Sequence, residues 1–265
     1  MTKDLDTLGP AEVATYLERL GYLEKPTPTE PVLRALHRAH LLAVPFENLD
    51  IARGVPIRLD PAALYAKVVT RRRGGFCYEL NGLFAELLRA IGFRVTLLSA
   101  GVAHEAGGYG PAFDHLALRV DLEGPRLVDV GFGDSFRDPL RLDTAEIQEQ
   151  RDGAYRIVAA GDDRILVRVG PEGERAQYRF NLVPRALSDF SALCLFHQTS
   201  PASHFTRGRI CTRATPTGRV TLSERRLIRT DRGDRVERAL SDEGAVSEAL
   251  WTEFGIHLDP PKVGG

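Results

Sequence analysis

Three residues in a fixed order could carry thiol chemistry. Cys77 lies in Arg71-Arg72-Arg73-Gly74-Gly75-Phe76-Cys77-Tyr78-Glu79-Leu80-Asn81, His115 opens His-Leu-Ala-Leu-Arg-Val, and Asp129 stands in Arg-Leu-Val-Asp-Val-Gly-Phe-Gly. A cysteine followed at a distance by a histidine and an acid is the pattern of a thiol nucleophile. In it imidazole takes the thiol proton, and the carboxylate fixes the tautomer and stabilises the imidazolium. Taken alone, Cys77 has a plainer reading as a buried structural thiol behind a loop.

The elements around these residues favour the chemical reading. Two glycines precede Cys77, and Phe84, Leu87, Leu88 and Ile91 follow at the spacing of one buried helical face, so Cys77 falls in the first turn of a helix. Unpaired N–H groups and the positive end of the helix dipole there are expected to bias the sulfur toward thiolate. The side chain shares its face with Asn81, Phe84 and Leu88 and should point inward. His115 and Asp129 sit on alternating strands, the second running into a Gly-rich turn. A two-residue turn at Glu123-Gly124 would set Asp129 opposite Leu118, on the wrong face for His115, so a longer turn or a bulge is required.

These segments resemble the arylamine N-acetyltransferase family in its bacterial form. Arg-Gly-Gly-Phe-Cys-Tyr-Glu, the His-opened strand and Val-Asp-Val-Gly-Phe-Gly carry the likeness, together with Val44-Pro45-Phe46-Glu47-Asn48-Leu49-Asp50 and the Thr-Ser-Pro-Ala-Ser segment ending in His204-Phe205. The resemblance implies a Cys77–His115–Asp129 triad that passes acetyl from acetyl-CoA, through a cysteine thioester, to an arylamine, hydrazine or hydroxylamine, as in xenobiotic metabolism. It implies an acceptor wall of Phe46, Val102, Phe132 and Phe205, and cofactor contacts at Gly131, Gly133, Ser203 and His204. It also implies an α+β fold with a papain-like core: a helical domain over residues 1–93, a β-barrel domain over 94–187 and an α/β lid over 188–265.

Residue patterns independent of the resemblance agree with that class. Helical periodicity marks Pro10 to Leu20, a helix holding Leu33, Leu36, His40 and Leu41 after Thr29, Pro61 to Thr70, and Ser241 to Phe254. Strand patterns mark Arg94 to Ala103, Tyr155 to Ala160, Arg164 to Val169, Ala176 to Leu182, Ile210 to Arg213, Arg219 to Leu222 and Arg226 to Thr230. Helices first and strands after argue for α+β rather than a nucleotide-binding α/β sheet. His197 to Phe205 reads as a polar loop. Gly131-Phe132-Gly133 is a weak phosphate-loop signal, since no G-x-x-x-x-G-K-[ST] occurs, and reads at least as well as a turn at the strand end.

Charge and cysteine usage exclude several classes. With 35 basic and 36 acidic residues among 265, the chain has no global attraction to nucleic acid or anionic lipid. No apolar stretch approaches the ~20 residues of a membrane span. Three cysteines form no metal-like pair, so no metal is expected and a reducing, cytoplasmic setting is. Cys194 and Cys211 lack a neighbourhood like that of Cys77 and read as inert. His37 and His40 lie three apart on one helix without further ligands and read as core or surface histidines. Competing functions are an amide synthase releasing or cyclising a carrier-bound polyketide chain, a thiol hydrolase or transglutaminase, and a non-catalytic acyl-CoA binding module.

Overall fold

The computed structural model describes residues 8–258. The chain opens with a helical layer: α1 (Pro10–Leu20), α2 (Glu30–Ala43), the short strand β1 (Phe46–Glu47), α3 (Leu49–Ala52), α4 (Pro61–Tyr65) and α5 (Cys77–Ile91). Proline stands in the first turn of α1, α2 and α4, where a missing N–H removes no helical hydrogen bond. Asp60 caps α4 by accepting the Ala63 N–H at 2.8 Å. The segment expected as one helix to Thr70 continues from α4 as a wider π-turn over Ala66–Thr70.

Eight antiparallel strands follow: β2 (Arg94–Val102), β3 (His115–Asp121), β4 (Pro125–Val128), β5 (Leu140–Arg141), β6 (Gln148–Gln150), β7 (Gly153–Ala160), β8 (Asp163–Gly170) and β9 (Gly173–Phe180). They pair in the order β5-β4-β3-β2-β9-β8-β7-β6. Two glutamine side chains stitch the free edges into a nearly closed barrel. Gln148 bonds the backbone of Arg141 in both directions (2.7 and 3.0 Å), and Gln150 accepts from the Arg137 and Asp138 N–H groups at 2.9 and 3.1 Å.

The last part comprises α6 (Ser191–Thr199), β10 (Ile210–Thr215), β11 (Gly218–Ser223), β12 (Arg226–Asp231), β13 (Asp234–Ala239) and α7 (Glu243–Phe254). Its sheet runs β1-β10-β11-β12-β13, with Phe46 opposite Thr212 and Glu47 opposite Cys211, so a strand of the helical layer forms its edge. Two elements depart from the sequence expectation. The stretch before Ser200 is helical, but α6 buries Cys194 and His197 while Leu195 and Phe196 stand exposed, so hydropathy conceals its inner face. β13 is exposed throughout and charged, an edge strand without an apolar signal.

α5 sits at the centre. Phe84, Leu87 and Leu88 are fully buried against Leu116, Leu118 and Val120 of β3, each such side chain contributing ~1.5–3 kcal/mol by leaving water. Alternation sends Ala117 to the other face, into the barrel core with Leu98, Leu127 and Tyr178. One face of β3 therefore packs the cysteine helix, and the other looks into the barrel.

Candidate active site

The loop before Cys77 is held by buried charges. Arg73 donates to Glu47 Oε1 at 2.7 and 3.0 Å and to Asp50 Oδ1 at 2.9 Å; Lys67 reaches Asp50 Oδ2 at 2.9 Å and Glu79 Oε1 at 2.8 Å. Glu79 Oε2 then accepts the Phe76 N–H at 3.1 Å, pinning the residue before the cysteine. Gly74 lies so close to Pro45 that a Cβ would come 2.0 Å from its carbonyl oxygen, which only glycine permits. Arg73 and Lys67 are raised by their carboxylates against the opposing effect of burial. Burial raises Glu79, with Lys67 acting against it.

The hairpin of β3 and β4 meets the requirement set by face alternation. Asp121 pairs with Pro125 and Leu118 with Val128, so the turn holds three residues, Leu122, Glu123 and Gly124. Continuing that register sets Asp129 opposite Ala117, on the face that also carries His115. One extra turn residue thus does what a bulge would have done. His115 Nε2 lies 2.7 Å from Asp129 Oδ2 and donates to it, which leaves Nδ1 as the ring's proton-accepting nitrogen. Asp129 Oδ1 accepts from Asn81 Nδ2 at 2.8 Å and the Gly131 N–H at 2.9 Å. Burial alone would raise this carboxyl, but His115 and these donors outweigh it and hold Asp129 below the usual carboxylate range.

Asn81 and His37 complete the support. Asn81 Nδ2 also donates to the Leu116 carbonyl at 2.7 Å, and its Oδ1 accepts the Val130 N–H at 2.9 Å, joining helix and both strands. His37 is lowered by burial, donates from Nδ1 to the Arg137 carbonyl at 2.8 Å, and accepts the Asp129 N–H at Nε2 at 3.3 Å. A Cβ on Gly131 would meet Cys77 Cα and Asn81 Nδ2, both at 2.8 Å, so this glycine lets the acid's strand close on the cysteine helix.

Cys77 and His115 line one cavity of about 210 Å³, with Phe46, Val102, Gly131, Phe132, His204, Phe205, Asp114 and Ile210. Phe46 and Phe205 rings lie 6.1 Å apart, and Phe132 meets His115 edge-on at 5.3 Å. Among the described residues the Cys77 sulfur has no side-chain hydrogen bond, while the Leu116 backbone N–H is directed at it. Burial pushes its thiol up, and the Asp129 and Asp114 carboxylates act in the same sense against that N–H. At 3% exposure, desolvation opposes the bias toward thiolate that the helix terminus supplies. Cys194 and Cys211 are raised by burial too, Cys194 to about 12, and neither lines this cavity.

A second polar chain backs the cavity. His197 Nε2 lies 3.1 Å from Asp114 Oδ1 and Nδ1 lies 3.0 Å from Ser203 Oγ, which accepts the Phe205 N–H at 3.2 Å. Ser203 is thereby spent on orienting Phe205, and its side chain is outside the lining, as is Gly133, which packs toward Phe46 and Thr212. All four residues expected as an acceptor wall line the cavity, as do Gly131 and His204. Asp114 went unread in the sequence, while His37 was read as a core or surface histidine, His197 as the start of a loop and Ile210 as a strand residue, none of them as part of the site. Asp114 directly precedes His115 in a strand-entry position and gave a positional hint, whereas the others are joined to the site only by tertiary folding.

A helical layer, a nearly closed barrel and an inward cysteine facing a His–Asp pair across an aromatic cavity define a thiol-bearing α+β protein. The chain belongs to the N-acetyltransferase family, whose model matches residues 30–263. It is 36% identical to the arylamine N-acetyltransferase of Mycolicibacterium smegmatis, over 93% of this chain and 92% of the relative. It is also 36% identical to the arylamine N-acetyltransferase / N-hydroxyarylamine O-acetyltransferase of Salmonella typhimurium, over 94% and 90%. The solved structure of the Mycobacterium marinum arylamine N-acetyltransferase in complex with CoA superimposes with a TM-score of 0.86 at 37% identity, covering 92% of each chain.

Proposed function

We propose that this protein transfers acetyl from acetyl-CoA to the nitrogen of arylamines and arylhydrazines, and to the oxygen of N-hydroxyarylamines, by a ping-pong route through Cys77. The observation that carries this reading is one aromatic-walled cavity shared by Cys77 and a histidine whose tautomer Asp129 holds. The names of the relatives, all for arylamine or hydroxyarylamine transfer, favour it over an amide synthase acting on a carrier-bound polyketide.

In the first half-reaction His115 Nδ1 takes the Cys77 proton and the sulfur attacks the thioester carbonyl. Burial raises the thiol, so transfer of its proton depends on ring and sulfur lying within hydrogen-bond distance when the donor is bound, as catalytic pairs tighten on substrate binding. The Glu79 and Leu80 N–H groups donate to the Phe76 carbonyl, which leaves those of Cys77 and Tyr78 to hold the oxyanion, a donor of that kind being worth ~3 kcal/mol of barrier. The tetrahedral intermediate expels the CoA thiolate, which takes the proton from His115. In the second half-reaction the amine attacks the acetyl-cysteine, His115 removes its proton, and Cys77 leaves as the thiol. Phe46, Phe132 and Phe205 hold the flat acceptor and exclude water, which directs acetyl to nitrogen rather than to hydrolysis.

Cys77→Ser tests the nucleophile. The variant should fold with an unchanged melting transition and lose arylamine acetylation by on the order of 10⁴-fold. Retention of a substantial part of the rate would refute the assignment.

A further inference from the structure

The reaction cavity holds one charge that the transfer chemistry does not use. Among the described residues its lining has Asp114 as its only carboxylate, and neither lysine nor arginine. His204, lowered by burial, adds no charge at neutral pH. Beside the Cys77–His115 pair, Asp114 is therefore the one fixed charge in a wall otherwise formed by Phe46, Val102, Phe132 and Phe205.

Asp114 is fixed through backbone and side chain alike. Phe113 before it takes a left-handed backbone (φ 68°), which a bulky residue rarely adopts, and its N–H donates to Ser99 Oγ at 2.7 Å. The hydroxyl of Tyr78, next to the nucleophile on α5, is shared between the Phe113 and Asp114 carbonyls at 2.7 and 3.0 Å. The carboxylate accepts the Val102 N–H at Oδ2 (3.2 Å) and meets His197 Nε2 at Oδ1 (3.1 Å). Ser203 Oγ accepts the Phe205 N–H and has its own proton to give His197 Nδ1 at 3.0 Å, so the ring is satisfied as a neutral imidazole that donates to Asp114.

These partners keep the carboxylate ionised and leave it usable. Burial raises it, but His197, the Val102 N–H and His115 outweigh burial and hold Asp114 below the usual carboxylate range. Each oxygen has one protein donor and a lone pair to spare, and the side chain is 14% exposed, against 4% for His197 behind it. The charge also works against the nucleophile, since Asp114 raises the Cys77 thiol. An anion that opposes the thiolate and keeps acceptor capacity open to the cavity is matched by a ligand that brings a cationic N–H donor to it.

We propose that Asp114 is a specificity-determining residue that makes the acceptor site select arylamines carrying a second, cationic N–H group and discriminate against anionic ones. The inference rests on the acetyl-transfer reading above and deepens it. The acceptor ring lies against the phenylalanines, its reacting nitrogen faces Cys77, and its ammonium donates to an Asp114 oxygen.

The test uses acceptors of nearly one shape: p-aminobenzylamine, which carries an ammonium, p-aminophenylacetate, which carries a carboxylate, and p-toluidine, which is uncharged there. In the first two a methylene insulates the reacting nitrogen from the charge. Pairs compete for the acetyl-enzyme formed from acetyl-CoA, and the ratio of N-aryl products gives the ratio of kcat/KM. The wild type should prefer the cationic acceptor, and a preference for the anionic one would overturn the proposal without any variant. Relative to p-toluidine, Asp114→Asn should lower the cationic acceptor and raise the anionic one, changing the cation-to-anion ratio by about tenfold or more. A loss shared equally by all the acceptors, with that ratio unchanged, is what a merely structural Asp114 predicts and would overturn the proposal. If the wild type acetylates none of them, the transfer reading fails. The calorimetric affinities of wild type and Asp114→Asn for the same amines then decide the role of Asp114 by the same ratio, because binding is measured without transfer.

Discussion

Two buried polar networks flank Cys77, and they are built on opposite plans. On the loop side, Arg73 and Lys67 face Glu47, Asp50 and Glu79, and the cations and acids saturate one another at 2.7–3.0 Å. On the strand side, Asn81, Asp129 and His115 form a shorter chain whose last member, His115, opens on a cavity. The closed network has no capacity left for a ligand and serves as a brace. The open one keeps a ring nitrogen unspent, and that unspent nitrogen is what a thiol needs in order to react.

This contrast is broken most severely from the open side. Asp129→Asn replaces the acceptor of the His115 Nε2–H and favours the wrong tautomer, so kcat should fall by on the order of 10³–10⁴-fold. The KM for the acceptor should change little, which steady-state kinetics on one arylamine would show. From the closed side, Arg73→Ala leaves Glu47 and part of Asp50 buried and unpaired and should cost ~3–5 kcal/mol of stability. Urea unfolding reads that value, and a cost below about 1 kcal/mol would contradict the brace.

Asn81→Ala sits between these cases because the residue joins α5 to both strands without touching the sulfur. The loss of its bonds to Leu116, Asp129 and Val130 should destabilise by ~2–3 kcal/mol and lower kcat more than it raises KM. The smallest effects are those of pH, and the two networks should give opposite signs. Asp129 is held below its ordinary value of 3.8, so it contributes stability above that pH, lost as pH falls through its folded value. Glu79 is raised above its ordinary value of 4.5, so the folded state binds the proton more tightly. Stability from that group is lost as pH rises through the window above 4.5. The melting-temperature difference between Glu79→Gln and wild type should therefore shift in favour of the variant as pH rises above 4.5, while the cost of Asp129→Asn grows as pH rises toward and past 3.8.

How much of this was legible in the residues depends on range. The α5 helix, the alternation that orients β3, and the Cys–His–Asp order are carried by local spacing, and they were readable. The three-residue turn before Asp129 was readable only as a requirement, since Leu122-Glu123-Gly124 has no chemistry that distinguishes two turn residues from three. α6 was missed because its exposed Leu195 and Phe196 mimic an inner face while its buried His197 mimics an outer one. The influences that raise the thiol were hidden for a related reason: a helix terminus is visible in sequence, whereas the depth of a side chain and the carboxylates behind it are set by the tertiary fold. His37 and His197 likewise reach the site across 92 and 83 residues of chain, a distance over which sequence patterning carries no information.

The central claim is that Cys77 carries the acyl group between two substrates. The direct measurement is to mix the protein with acetyl-CoA in the absence of any amine, quantify released CoA, and map the modification by peptide mass spectrometry. A burst of one CoA per protein, with a single acetyl group on Cys77 and none on Cys194 or Cys211, is the expected result. No burst and no acetylated Cys77, in a preparation that still acetylates an arylamine from acetyl-CoA, would contradict it and point to direct transfer.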